Sequence, residues 1–383
     1  MRIPADSDFR SRLRSAAVTA RVGLWLGICF GVAFVTGVIS HYAQVPDQPL
    51  PFPTSPSWGY RVTQGLHVVA GTAAVPLLLV KLWTVYPRLF LRPPRGLRKL
   101  AVEGAERASV AVLVAAAIFQ LASGLANAAQ WYPWAFSFRA THYAVGWVAV
   151  GALVVHVAVK LPVIRQALGA DLESTALDRA SAVEPGALSR RGLLRTTWLA
   201  AGVAVLATAG STVPILRRVS VLGVRSGDGP GGVPVNKSAR AAGVTATATD
   251  PSYRLTVAYA DREVTLDRAR LEAMEQTTHS LPIACVEGWS AGATWTGVRV
   301  RDLLDLVGAP RGSDVLVVSL QESGPYRQTL LQSGFADDER TLLALRLHGE
   351  TLAIDHGYPC RLIAPDRPGV LQTKWVRRLE VQT

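Results

Sequence analysis

Hydrophobic and polar positions divide the chain near residue 217. Before it lie five stretches that carry no Asp, Glu, Lys or Arg: 22–40, 62–80, 108–138 (its apolar part ending near Gln130), 140–159 and 196–216. Each is close to or above the ~20 residues with which a helix crosses a bilayer. After residue 217 charges recur every few positions and the apolar runs shorten. Alternating runs at 253–259 and 263–266 predict two strands joined by an Asp261-Arg262 turn. Residues 314–320 and 375–381 read as further strands, and 301–307, after Gly297-Val-Arg-Val, as a short helix. Strands and short helices without a βαβ repeat predict an α+β fold. The expected fold class is an all-α membrane bundle of five transmembrane helices followed by an α+β domain. It divides into a four-helix transmembrane domain at 1–187, a fifth anchor at 188–217 and a domain at 218–383 large enough for one core.

The formal net charge is +12, and its placement predicts an orientation. Arg2, Arg10, Arg12, Arg14 and Arg21 precede the first stretch. Lys81, Arg88, Arg92, Arg95, Arg98, Lys99 and Arg107 lie between the second and third. Lys160, Arg165, Arg179, Arg190, Arg191 and Arg195 lie between the fourth and fifth, whereas the opposite loops hold Arg61 and Arg139. By the positive-inside rule the N-terminus is cytoplasmic and the final domain extracytoplasmic, in a multi-pass protein of the cytoplasmic membrane. Arg217 and Arg218 run against the rule but are outnumbered. Trp58, Tyr60, Trp131, Tyr132 and Trp134 fit an aromatic belt at the outer interface. The positive charge thus reflects orientation and the anionic inner leaflet. No Lys/Arg run in the final domain is interleaved with aromatics, which excludes nucleic acid as a partner.

Four of the seven histidines, His41, His67, His142 and His156, lie in or beside the first four stretches. Ionisable groups inside a bilayer are costly and mark function. His142 and His156 are fourteen residues apart on one expected helix, hence on one face and about 21 Å apart in depth. Imidazole is a standard axial ligand of haem iron, and a four-helix bundle can stack two haems. The arrangement resembles di-haem cytochrome b subunits such as the membrane subunit of bacterial formate dehydrogenase. The resemblance implies haem b on His67 and His142 and a second haem on His156. In that family the inner haem takes its other ligand from the cytoplasmic end of the first helix. Here that end reads Arg21-Val-Gly-Leu-Trp-Leu, without histidine, so one haem or two stays open. His41 reads as interfacial. The alternative for these histidines is hydrogen bonding within the bundle.

Ser189-Arg190-Arg191-Gly192-Leu193-Leu194-Arg195 precedes the fifth stretch. It resembles the twin-arginine export motif, with Leu193 for Phe and Arg195 for Lys. That route moves folded proteins, which suits a domain loaded with cofactor before export. The plainer alternative is that two arginines mark the cytoplasmic end of a helix.

With three cysteines the chain cannot build a dense disulfide framework or a four-cysteine zinc site. Cys285, in Ser280-Leu-Pro-Ile-Ala-Cys285-Val-Glu287-Gly-Trp289-Ser290, sits in a tight turn after a short apolar strand and offers one soft thiolate to one metal. It resembles the molybdenum-binding cysteine of the sulfite oxidase family, and most of all the form in the catalytic subunit of periplasmic methionine sulfoxide reductase. A second signature, His356-Gly-Tyr-Pro-Cys-Arg361 followed by Gln372-Thr373-Lys374-Trp375, matches the family's pterin-binding region. An arginine and a placed lysine suit a multi-oxygen anion. The resemblance implies Mo-molybdopterin held by Asn236, Cys285, Ser319, His356, Arg361, Gln372, Thr373 and Lys374, with Glu287 and Trp289 beside the reacting centre. Surface ion pairing is the alternative for Arg361 and Lys374, and a Cys285–Cys360 disulfide is a rival to metal binding. Cys360 reads as core, Cys29 as packing, and His279 and His348 as solvated.

The expected activity is a membrane-anchored molybdopterin oxidoreductase that exchanges electrons through haem b with the quinone pool. Sulfite oxidases carry cations after the cysteine. Here Val286–Ser290 has none, and Glu287 would repel a sulfite dianion, which favours an S-oxide or N-oxide substrate. Three alternatives stand: a sulfite oxidase or dehydrogenase, a membrane cytochrome b whose final domain only docks a partner, and a cofactor-free structural anchor whose histidines pack and whose cysteines pair.

Overall fold

The computed structural model describes residues 4–90, 96–223 and 229–382. Arg2, Arg92 and Arg95, counted above for orientation, lie outside them. Five long helices come first: α1 (Ala16–Ala43), α2 (Gly59–Val85), α3 (Leu97–Ala128), α4 (Phe138–Gly169) and α5 (Arg190–Thr208). All five are long and apolar enough to cross a membrane. Large apolar side chains such as Val35, Leu79, Val154 and Leu199 point outward from them. In a helix apolar on every side, such outward faces suit lipid and not water.

Contacts divide the chain into two compact units. One comprises Met1–Gly37, Leu66–Ala209 and Val219–Leu222; the other comprises Val38–Gly65, Gly210–Arg218 and Gly223–Thr383. In the first, Arg21 donates to the carbonyls of Ala167, Leu168 and Ala170 at 2.9–3.3 Å, so its cation caps the C-terminal end of α4. Ser189 caps α5 by accepting from Gly192 N–H at 3.0 Å. Arg190 is buried, pairs with Asp178 and donates to the carbonyls of Leu172 and Ser174, whereas Arg191 is exposed. The first arginine of the pair therefore holds the chain before α5 in place.

The second unit contains two five-stranded sheets. The first runs β2 (Arg262–Leu266), β1 (Leu255–Tyr259), β10 (Val376–Val381), β5 (Val315–Ser319), β6 (Gln328–Leu331). Only β1 and β10 are parallel in it. The second runs β3 (Thr277–Ala284), β4 (Ser290–Arg299), β7 (Leu342–Leu347), β8 (Glu350–Thr351), with β9 (Arg361–Ile363) also on β7. The main core, from Leu255, Val257, Val298, Leu303, Val317, Leu343 and Leu379, joins the sheets. The α+β expectation holds, and the strands predicted at 253–259, 263–266, 314–320 and 375–381 all form within a few residues. The first turn differs: it is Ala260-Asp261, with Ala260 at φ 50°, because Arg262 already pairs with Tyr259 in the ladder. The short helix covers Val300–Asp305.

Residues 38–65 belong to this second unit by direct contact. Leu330 N–H donates to Pro46 O at 2.8 Å, and Gln332 donates to the carbonyls of Asp47 and Gln48. Arg340 donates to Thr54 O at 3.0 Å. Asp366 accepts from Tyr60 N–H at 2.7 Å, so its carboxyl caps the first turn of α2. A Cβ on Gly59 would fall 2.6 Å from Asp366 Oδ2, which explains glycine there.

Candidate active site

Strands β3 and β4 form a hairpin in which Ala284 pairs with Ser290 and Thr277 with Gly297. Its turn is Cys285–Trp289. Cys285 N–H donates to Trp289 O at 2.9 Å and Gly288 N–H to Cys285 O at 3.2 Å. Gly288 takes φ 78°, a left-handed conformation that glycine adopts without a Cβ clash. The turn's outward carbonyl, Gly288 O, accepts from Ser211 at 3.3 Å and from Thr212. Cys285 is fully buried beside Trp289, Ile283, Ala293 and Trp295. Burial first, then the charge of Glu287, pushes its thiol above the ordinary cysteine range. Glu287 accepts from Trp289 Nε1 at 3.1 Å, so these two form one wall of the turn.

Arg361 and Lys374 meet as backbone partners across an antiparallel bridge, and Leu362 N–H donates to Thr373 O at 2.9 Å. The spacing of the second signature is thus a small hairpin that sets two cations side by side. Arg361 is 2% exposed, stands over the Trp295 ring at 5.4 Å and leaves Nε without a partner. Burial pulls it down to about 10, and proximity to Cys285 opposes that shift. Lys374 is 6% exposed and donates to the carbonyls of Lys237 (2.9 Å) and Asp355 (2.8 Å). Burial and then Arg361 hold it well below the lysine range, while Cys285, Asp355 and Glu287 pull the other way. Neither cation forms an ion pair among the described residues, which overturns the surface-pairing alternative.

His356 donates from Nε2–H to Pro230 O at 2.7 Å, and its buried Nδ1 has no partner. Burial and Arg361 bring it down to about 4, so it is neutral. Ser319 is buried, with Oγ donating to Lys374 O at 2.8 Å and accepting from Gln321 N–H at 3.2 Å. Lys237 reaches Gln321 Oε1 at 2.7 Å, and Asn236 accepts from Lys237 N–H at 3.0 Å, which brings Asn236 alongside Ser319 and Lys374. Orphaned polar atoms on His356 and Arg361, and two buried cations that form no ion pair among the described residues, fit a multi-anionic cofactor whose metal takes the Cys285 thiolate.

Two expected contacts are spent within the protein. Gln372 gives its whole amide to Ala364 N–H, Ala364 O and Arg367 O at 2.7–3.0 Å, and Thr373 Oγ1 bonds Thr329 Oγ1 at 2.8 Å. They shape the loop that carries Lys374. Cys285 and Cys360 are both free, which removes the disulfide rival. Cys360 lies in the other core, 3.0 Å from Tyr253 Oη, and burial raises it to about 12. His279 is half-buried on β3, opposite Trp295, and His348 lies in the exposed turn before β8. Sequence reasoning missed Arg367. It is fully buried with Nε and Nη1 unpartnered, donates from Nη2 to Leu330 O at 2.7 Å, and is brought down to about 9 by burial. It also left Arg61 as a loop cation. Arg61 Nε donates to Ser290 Oγ at 2.6 Å.

In the first unit, the rings of His67 and His142 are 6.2 Å apart. His67 Nδ1 is 2.8 Å from Ala33 O and 3.3 Å from Thr36 Oγ1, and His142 Nδ1 is 3.0 Å from Ser123 Oγ. Both Nε2 atoms are thereby left for a metal, because a hydrogen bond at the other ring nitrogen fixes the ring and its tautomer. Two imidazoles that share one iron at ~2 Å per bond hold their ring centres roughly 6 Å apart. Gly37 and Gly124 sit against these rings, where a Cβ would come within 3.1 and 3.5 Å of Cε1. These features fit one haem. His156 stands among Lys81, Lys160, Glu106 and Arg88, and the α1 end that would supply its partner carries Arg21, committed to α4.

Comparison with known proteins agrees with the site. Residues 242–383 match the family described as oxidoreductase molybdopterin binding domain. Sulfite oxidase of Arabidopsis thaliana is 32% identical over 112 residues, covering 24% of this chain and 28% of that protein. A protein of Azospira oryzae named as a protein-methionine-sulfoxide reductase subunit, YedZ1, is 34% identical over 133 residues, covering 34% of this chain and 49% of that protein. The chain spans less than half the length of either relative. Sulfane dehydrogenase SoxCD of Paracoccus pantotrophus aligns at 24% identity over 34% of this chain and 38% of that one, with a TM-score of 0.31, too low to bear on the argument. Residues 242–383 of this chain thus match an oxidoreductase molybdopterin-binding domain.

Proposed function

We propose that the protein is a multi-pass membrane oxidoreductase whose final domain faces the extracytoplasmic side and whose helices carry one haem b. Cys285 would ligate molybdenum, with Asn236, Ser319, His356, Arg361 and Lys374 around the pterin and its phosphate. When bound, the cofactor supplies two-electron redox and oxygen-transfer chemistry. The protein's own part is to give up the Cys285 proton on metal binding, to neutralise anionic oxygens with Arg361 and Lys374, and to accept at His356 Nδ1. Trp289 and Glu287 wall the approach. His67 and His142 would pass electrons to or from a quinone. Export by the twin-arginine route requires Ser189–Arg195 to be presented before Arg190 takes its buried place.

The observation that carries this reading is the fully buried Cys285 within the influence of two buried cations that form no ion pair among the described residues. Glu287 beside the cysteine favours a neutral S-oxide or N-oxide, hence a reductase. Arg61 on Ser290 supports the second reading, sulfite oxidation.

Elemental mass spectrometry of the detergent-purified protein tests the proposal. Molybdenum and iron each near one per chain are expected. Cys285→Ala should lose molybdenum and keep iron, and His142→Ala should do the reverse. Iron without molybdenum, in a host that makes the cofactor, would select the cytochrome with a docking domain. Sulfite turnover lost in Cys285→Ala, without S-oxide turnover, would select the second reading.

A further inference from the structure

The Cys285 turn contains no cation of its own, yet one is delivered to it from 229 residues away in sequence. Arg61 Nε donates to Ser290 Oγ at 2.6 Å. Ser290 is buried and pairs with Ala284, so these two residues clamp the ends of the turn that holds Cys285. Tyr60, next to Arg61, packs on Ala284 together with Ala43 and Phe52. Residues 60 and 61 therefore touch both stems of the turn. Asp366 fixes their backbone through Tyr60 N–H.

The guanidinium of Arg61 is half-buried and, among the described residues, has no carboxylate partner. Its Nε is spent on Ser290, which orients the plane and leaves two amino groups for a ligand. A planar fork held this way matches two oxygens of one small oxyanion, or the polarised oxygen of an S–O or N–O bond.

We propose that Arg61 is a substrate-binding residue that, with Ser290, forms an oxyanion subsite at the mouth of the Cys285 turn. This rests on the assignment of Cys285 as the metal ligand. The subsite supplies the charge that the sequence of the turn lacks. The substrate class is a small molecule bearing a charged or strongly polarised oxygen.

Calorimetric titration with sulfate, an inert oxyanion, tests the subsite on the full chain in neutral detergent. Loss of one charge-assisted pair should weaken sulfate binding about tenfold or more in Arg61→Ala, with Arg61→Lys between it and wild type. Far-UV circular dichroism and molybdenum content, equal in all three, exclude a folding effect. Equal sulfate affinity in wild type and Arg61→Ala, or no sulfate binding to wild type, overturns the proposal. Arg61-dependent binding to phosphatidylglycerol micelles without sulfate binding also overturns it and assigns the residue to the membrane surface. Failure of the metal assignment reads differently: molybdenum is then absent from wild type while Arg61-dependent sulfate binding persists.

Discussion

The guanidinium of Arg361 lies over the indole ring of Trp295, 5.4 Å from its centroid, with one N–H left without a partner. A buried cation in that state costs stability in the absence of an anion. Arg361→Met should therefore raise the stability of cofactor-free protein by about 1–4 kcal/mol while abolishing cofactor retention. Thermal melts of protein from a host without the pterin pathway, with molybdenum content from a normal host, read the two effects. A lower melting temperature for cofactor-free Arg361→Met would refute the claim.

Asp366 is buried and raised from 3.8 to about 7, although its bond to Tyr60 opposes the shift. In the folded protein it holds a proton that the unfolded chain releases near pH 4. Its contribution is full below that value and is lost as pH rises to about 7. The stability difference between wild type and Asp366→Asn should therefore fall across pH 4 to 7 and level off above. Asparagine keeps the cap, so α2 itself is retained. A difference independent of pH in urea melts would remove the assignment.

His356 gives the opposite slope. Its folded value lies at about 4 against 6.5 unfolded, so its contribution is present above pH 6.5 and is lost as pH falls toward 4. His356→Gln should flatten that part of the profile and weaken retention of the pterin. An unchanged acid limb in the same urea series would show that another group governs it.

Ser123 holds the His142 ring through Nδ1 at 3.0 Å. Ser123→Ala should weaken haem retention roughly tenfold or more and shift the midpoint potential, since outer partners of metal-bound histidines act at that level. Haem titration followed at the Soret band and a redox titration supply the test. Unaltered affinity and potential would separate Ser123 from the haem.

The strands at 255–259 and 262–266 were legible from alternating apolar and polar residues, and those at 315–319 and 376–381 from their Val and Leu content. The hairpin that carries Cys285 was not, beyond the short strand before the cysteine. Its first strand contains Pro282 and its second is largely small residues, so neither shows a clear period. Arg361 and Lys374 could be read from their spacing because one short hairpin joins them. Gln372 could not, since its role depends on how the loop 364–372 folds over its amide. Arg61, Asp366 and Arg367 carry no local signal: each acquires meaning from a partner far away in sequence or from burial alone.

The turn at Gly288 bears on how such a protein can be built and divided. Its carbonyl is held by Ser211 and Thr212, which the linear pattern assigns to the fifth stretch, and its closing serine by Arg61, which it leaves just before the second. A catalytic fragment cut at residue 223 would leave that carbonyl and hydroxyl bare. The turn is complete only where segments from three parts of the chain meet. A cassette transplanted onto another anchor would inherit the chemistry but not the closure.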